Sequence, residues 1–430
     1  MDSIHIIGGN PLNGVIPISG AKNAALPLMV AALLTKETLT LKYIPHLVDV
    51  ELLLRILNHH GIGYAVEGRT AHQESGYSRT IHFTAKKITT VHAPYELVTK
   101  MRASFWVIGP LLARCREAYV SLPGGCAIGT RPVDFILEGL KSLGAHIVIE
   151  QGYVHAKAPE GLQGGRYRFP KVTVGGTHVL LMAAVMAKGT TVLDNAACEP
   201  EVTNLIQALK AMGARISGEG TQTLTIHGVE KLHSAKVQVI PDRIEAGTYA
   251  MAVAMIGGDV FLKNANPHHL TEVLECLKKT GLEIEIKPEG INVRRNPEQK
   301  IMPVDIKTGP FPAFPTDLQA QFMALMTRAQ GNAHITEIVF ENRFMHVQEL
   351  IRLGAQITLN GQTALVCGTE NLQGAQVMAT DLRASVSLVI AALAAQGKTI
   401  VSRVYHLDRG FERLEEKLAQ CGANIQRVTG

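Results

Sequence analysis

A glycine that stops a short amphipathic run recurs six times along this 430-residue chain, at positions 61, 144, 213, 281, 354 and 422. The intervals are 83, 69, 68, 73 and 68 residues, which is a period rather than a scatter. An extended run starts at once after the glycine: Ala145-His-Ile, Ala214-Arg-Ile, Leu282-Glu-Ile, Ala355-Gln-Ile and Ala423-Asn-Ile. The glycine stands where a helix C-terminus needs a left-handed residue, so each copy reads as a helix turned directly into a strand.

A second, more apolar set of helices alternates with the first, over 24–34, 103–113, 177–187, 247–256, 318–328 and 384–395. Most are followed by a glycine and a β-branched strand, as in Gly189-Thr-Thr-Val and Gly397-Lys-Thr-Ile-Val. The repeat is therefore a βαβαββ-type unit of about 70 residues. A unit with two helices and a small sheet cannot bury both its faces alone, so neighbours must share a helical core. Six units predict an α/β fold with two pseudo-symmetric domains of three units each. The expected boundaries are 21–240 for one domain and 1–20 with 241–430 for the other, the N-terminal strand at 4–7 returning to the second. The extra length of the first copy falls in the polar stretch 67–78, read as a surface loop.

Charge is concentrated at the starts of the apolar helices. Lys22 and Asn23 open the first, Arg102 the second, Thr316 and Asp317 the fifth, Asp381 and Arg383 the sixth. Thr316 and Asp381 are N-cap residues by type. Lys22, Arg102 and Arg383 are not, because a cation there opposes the helix dipole. Cations beside free N–H groups suit a bound anion, and this reading is preferred over solvated surface charge. Arg131, Arg343, Arg383 and Arg409 together point to a small polyanion, since the guanidinium fork matches carboxylate and phosphate.

One loop stands apart: Ser121-Leu-Pro-Gly-Gly-Cys-Ala-Ile-Gly-Thr-Arg-Pro-Val-Asp134. Its Pro and Gly content forbids regular structure, and it places the Cys126 thiol five residues before the Arg131 guanidinium. A nearby cation favours the thiolate, so Cys126 is a candidate reactive cysteine. An incidental cysteine on a turn fits these fourteen residues equally well.

Several classes are disfavoured. The net charge of +5 is spread without a basic run, which does not call for nucleic acid. The six cysteines, 115, 126, 198, 276, 367 and 421, lack CxxC spacing, which argues against zinc and disulfides and for a reducing compartment. No Walker A, GxGxxG or HExxH signature occurs. The N-terminus shows no signal-peptide pattern and no apolar run is long enough to span a bilayer, so a cytoplasmic location is expected.

The chain also resembles the enolpyruvyl transferases. The resemblance rests on Ser19-Gly-Ala-Lys-Asn-Ala-Ala-Leu-Pro27, Met101-Arg-Ala-Ser104, Leu122-Pro-Gly-Gly-Cys126 with Arg131-Pro-Val-Asp134, Pro312-Ala-Phe-Pro-Thr-Asp317, Phe340-Glu-Asn-Arg-Phe344, Asp381-Leu-Arg-Ala-Ser385 and Asp408-Arg-Gly410. These blocks run in order over essentially the whole chain. The resemblance implies a two-domain, inside-out α/β barrel with its active site in the cleft between domains. It implies transfer of the enolpyruvyl group of phosphoenolpyruvate to the 3-hydroxyl of UDP-GlcNAc, releasing phosphate, on the route to peptidoglycan. Addition and elimination would pass through a tetrahedral intermediate, with no metal or redox cofactor and no obligatory protein partner.

In that scheme Cys126 is the proton donor, open to covalent adducts, and Asp317 handles the hydroxyl proton. Lys22 and Arg409 complete the catalytic set. Lys22, Asn23, Arg131, Arg343, Arg383 and Arg409 would hold phosphoenolpyruvate. Asn23, Arg102, Arg131, Pro132, Val133, Asp134, Phe135, Lys171, Val172, Thr173, Val174, Asp317 and Val339 would hold the sugar nucleotide. The rival within the family is a 5-enolpyruvylshikimate-3-phosphate synthase, against which the Cys126 loop argues. A non-catalytic six-repeat DNA clamp is the rival outside it, and the apolar inner helices argue against that.

Overall fold

The computed structural model describes residues 2–67, 78–124 and 133–430. Within them all six recurring glycines adopt a positive φ, between 86° and 105°. In each case the residue after the glycine donates its N–H to the carbonyl five positions back. The pairs are Ile62 to Leu57, Ala145 to Leu140, Ala214 to Leu209, Leu282 to Leu277, Ala355 to Leu350 and Ala423 to Leu418. This is the 6→1 bond of a Schellman end, which a left-handed glycine closes at little cost. The chain leaves each closure directly as a strand, for example His146–Glu150 after Gly144 and Glu283–Lys287 after Gly281.

Among the described residues six four-stranded sheets result, beside one two-stranded pair. Every four-stranded sheet has the same order: one parallel pair, then two antiparallel pairs. Ala235–Gln238, Thr38–Ile44, Arg79–Thr84 and Gly63–Val66 form one of them. In another, the N-terminal strand Ser3–Ile7 lies antiparallel between Lys398–Ser402 and Asn424–Val428. Leu12–Pro17 then supplies the parallel edge beside Gly258–Lys263.

The chain divides into two compact units. One comprises Met1–Ser19 and Pro241–Gly430, the other the described residues from Gly20 to Ile240. Each holds three of the four-stranded sheets and one hydrophobic core. In the second unit the last strand, Ala235–Gln238, pairs with the first, Thr38–Ile44, which ties the two ends of that unit together.

The apolar helices lie buried in these cores. They are Lys22–Ala31, Ile108–Cys115 and Val174–Ala184 in one unit, and Arg243–Ile256, Gln319–Met326 and Ser385–Ala394 in the other. The stretch expected as one helix over 103–113 is split, with a 3-10 segment Arg102–Val107 ahead of the α-helix. Pro110 accounts for the break, since its ring crowds the carbonyl four residues earlier and it has no N–H to donate. The start at 318 shifts likewise: a 3-10 turn, Thr316–Leu318, precedes the helix. No helix among the described residues is long and apolar enough to cross a membrane. Of the polar stretch at 67–78, residues 68–77 lie outside the described residues.

Candidate functional site

In the unit that includes Pro241–Gly430, three residues from separate segments converge. Asp317 sits in the 3-10 turn that opens a buried helix, and its side chain is 24% exposed. Arg343 Nη2 donates to Asp317 Oδ1 at 2.8 Å, and Arg383 Nε lies 3.5 Å from Oδ2. Both guanidiniums are almost fully buried, at 4% and 3%. The Arg343 guanidinium packs over the Phe340 ring at 5.4 Å and that of Arg383 over Phe411 at 5.4 Å. Arg383 Nη1 reaches the Gly410 carbonyl at 3.4 Å. Its Nη2 is buried without a hydrogen-bond partner among the described residues. A buried donor left unmade is costly, and an anionic oxygen is the group that satisfies it best.

The local chain explains this placement. Asp381 Oδ1 accepts from the N–H groups of Arg383 and Ala384 at 2.7 and 2.8 Å, so it caps the turn that presents Arg383. Thr316 does not act as the expected N-cap. Its hydroxyl donates to Glu337 at 2.6 Å and accepts from Arg343 Nη1 at 3.1 Å. A carboxylate acceptor nearby outcompetes the weaker backbone donors of a short turn.

Arg409 ends the 3-10 segment Val404–Arg409 and is half-buried. The neighbouring Asp408 is held by Arg427, with Nη1 at 3.0 Å from Oδ2, and Arg427 Nε also grips Glu415 at 2.6 Å. Burial and then the Arg409 charge hold the His406 imidazole below its usual range. His346 is fully enclosed, and burial pushes it down to about 4, with the Arg343 charge acting the same way and Asp381 opposing. It is therefore neutral at pH 7, a spacer between charged neighbours rather than another cation. Val339 is half-buried, and its N–H donates to Glu337 at 2.7 Å.

The other unit carries a second group. Lys22 begins a buried helix, and its Nζ pairs with Asp49 Oδ2 at 3.3 Å, both residues being buried. The counter-charge explains how a lysine is tolerated at that helix start. Asn23 follows it, half-buried, and Arg102 opens the 3-10 segment, also half-buried. Thr173 caps the helix Val174–Ala184 by accepting from Gly176 N–H at 3.2 Å. Val172, Thr173 and Val174 are half-buried around that start, with Lys171 exposed beside them. Val133 is buried, while Asp134 and Phe135 begin the helix Asp134–Ser142. The Tyr167 hydroxyl donates to the Phe135 carbonyl at 2.9 Å. Cys126, Arg131 and Pro132 lie outside the described residues.

Two residues in these surroundings escape sequence reasoning, Glu337 and His346. Glu337 follows a strand, and His346 immediately precedes the helix Val347–Arg352. Glu337 becomes visible only through partners at positions 308 and 316, which the fold brings to it.

Comparison with known proteins identifies the family. The family model described as EPSP synthase (3-phosphoshikimate 1-carboxyvinyltransferase) matches residues 6–418. A Bartonella henselae protein named UDP-N-acetylglucosamine 1-carboxyvinyltransferase is 80% identical over 430 residues, covering 100% of both chains. A Bartonella quintana protein of the same name is 78% identical, again over 100% of both. Among solved structures, the enolpyruvyl transferase NikO from Streptomyces tendae superimposes with a TM-score of 0.86 at 25% identity, covering 100% of this chain and 99% of that one. A family match over nearly the whole length, and relatives this similar from end to end, lead to one conclusion: the chain belongs to the EPSP synthase-type enolpyruvyl transferase family.

Proposed function

We propose that this protein transfers the enolpyruvyl group of phosphoenolpyruvate to the 3-hydroxyl of UDP-GlcNAc and releases phosphate. The observation that carries the reading is Asp317 held between two buried guanidiniums, one of which keeps a donor without a partner among the described residues. A carboxylate fixed in this way orients and accepts a hydroxyl proton, while Arg343 and Arg383 neutralise a dianionic substrate. The name shared by the relatives at 80% and 78% identity supports UDP-GlcNAc as acceptor over 3-phosphoshikimate.

In the proposed addition, the acceptor oxygen bonds to C2 of phosphoenolpyruvate and Cys126 delivers a proton to C3. In the elimination, C3 gives up a proton and the C2–O bond to phosphate breaks. Lys22, Asn23, Arg131, Arg343, Arg383 and Arg409 serve phosphate and carboxylate. Asn23, Arg102, residues 131–135, residues 171–174, Asp317 and Val339 serve the sugar nucleotide. The scheme draws residues from both units, and we take the units as the two domains of an inside-out α/β barrel. It needs neither metal nor redox cofactor, and a cytoplasmic enzyme fits it.

Phosphate release measured with phosphoenolpyruvate plus either acceptor tests the proposal. Release with UDP-GlcNAc and none with shikimate 3-phosphate is expected. The opposite pattern refutes it.

A further inference from the structure

The carboxylate of Glu337 is 1% exposed and receives four hydrogen bonds from three segments of the chain. Oε2 accepts from the Thr316 hydroxyl at 2.6 Å. Oε1 accepts from the Thr308 hydroxyl at 2.9 Å and from the N–H groups of Val339 and Phe340 at 2.7 and 3.1 Å. Burying a carboxylate costs far more than burying an apolar side chain of similar size, so packing alone does not account for it.

Its donors show what it does. The Thr316 hydroxyl has a single proton, and Glu337 takes it. The oxygen lone pairs are left for Arg343 Nη1 at 3.1 Å, and Nη2 of the same fork then meets Asp317 at 2.8 Å. Phe340, anchored through its N–H by Glu337, provides the ring on which the Arg343 guanidinium lies. One carboxylate therefore constrains Arg343 through Thr316 and through Phe340, and fixes the backbone of Val339 as well.

We propose that Glu337 is a positioning residue for enolpyruvyl transfer: without touching substrate, it sets Arg343 against Asp317 and holds the Val339 backbone. The proposal rests on the roles given above to Asp317 and Arg343. Its logic is that a reacting group displaced by about 1 Å loses on the order of 100-fold in rate, so the residues that lock it matter.

Glu337→Gln keeps the shape but turns an amide NH2 towards at least one of the four donors. Turnover per folded molecule is expected to fall about 10- to 100-fold. Thr316→Val, which cuts the same link without altering a charge, is expected to fall comparably, and Thr316→Ser to recover most of the rate. The double variant Glu337→Gln with Thr316→Val is expected to be no slower than the worse single one, because both remove one connection. Multiplicative losses, or wild-type turnover in Thr316→Val, overturn the proposal. If Glu337→Gln does not fold, the two Thr316 variants decide by the same criteria.

A crystal structure of Glu337→Gln provides an arm that needs no substrate. Displacement of Arg343 from Asp317 supports the proposal, and a contact retained at 2.8 Å overturns it whatever the rate. Wild-type protein inactive on phosphoenolpyruvate and UDP-GlcNAc would refute the assigned reaction, and the structural arm would still decide the role of Glu337.

Discussion

Asp317 Oδ1 accepts a 2.8 Å hydrogen bond from Nη2 of Arg343, a guanidinium that is 4% exposed. The pairing joins the start of one buried helix to a loop more than twenty residues further along the chain. It leaves the carboxylate a quarter exposed, held on the protein side and open on the other.

From this follows the behaviour of Asp317→Asn. The amide keeps the size and loses the base, so turnover is expected to fall about 100-fold or more. UDP-GlcNAc affinity, measured by calorimetry, is expected to change by less than about tenfold. Near-normal turnover would remove Asp317 from proton handling.

Gly144→Ala isolates the cost of a helix end. The glycine has a φ of +86°, and an added methyl would meet nothing closer than Gln163 Cγ at 3.6 Å, an ordinary contact. The penalty is therefore conformational, about 1–2 kcal/mol of unfolding free energy. Denaturant unfolding measures it, and an unchanged midpoint would contradict the left-handed assignment.

Three buried histidines set an acid limit on stability. Burial pushes His60 down to about 4, His178 to about 3 and His346 to about 4, from a usual 6.5. Between pH 6.5 and 4 the unfolded chain binds protons that the folded chain refuses, so stability falls as pH falls. Each group contributes up to about 1.4 kcal/mol per pH unit in that window. Their contribution is complete above pH 6.5. Thermal unfolding from pH 7.5 to 4.5 is expected to show a steep loss that His346→Gln makes shallower. A flat profile would contradict neutral burial.

How much of this could be read in the residues differs between fold and site. The helix ends were legible because a Schellman closure is local: a glycine and the residues around it carry the whole signal, six times over. The split at Pro110 shows the limit of periodicity, which registers apolar spacing but not a missing N–H. At the site, Asp317, Arg343 and Arg383 stand out because ionic residues at apolar helix starts and in a loop after a strand are conspicuous. Glu337 is not conspicuous. A glutamate at the end of a strand looks like any surface residue until Thr308 and Thr316 arrive from elsewhere to enclose it. The misreading of Thr316 as a cap has the same origin, since its true acceptor is twenty-one residues away.

Cys126 offers a chemical test of the loop that lies outside the described residues. The resemblance to the UDP-GlcNAc enolpyruvyl transferases implies that the epoxide fosfomycin would alkylate this thiol. With UDP-GlcNAc present, one fosfomycin per chain is expected on the peptide carrying Cys126. Cys126→Asp is expected to keep turnover and lose inactivation, since a carboxylic acid still donates a proton but lacks the thiolate nucleophile. A label found on Cys115 instead would overturn the assignment.

The reaction is defined by its acceptor and by the group that acceptor receives. Mass spectrometry of the nucleotide sugar after incubation with phosphoenolpyruvate reads both at once. UDP-GlcNAc heavier by one enolpyruvyl group, in step with phosphate released, is expected. Unaltered UDP-GlcNAc, alongside conversion of shikimate 3-phosphate by the same protein, would contradict the assigned reaction.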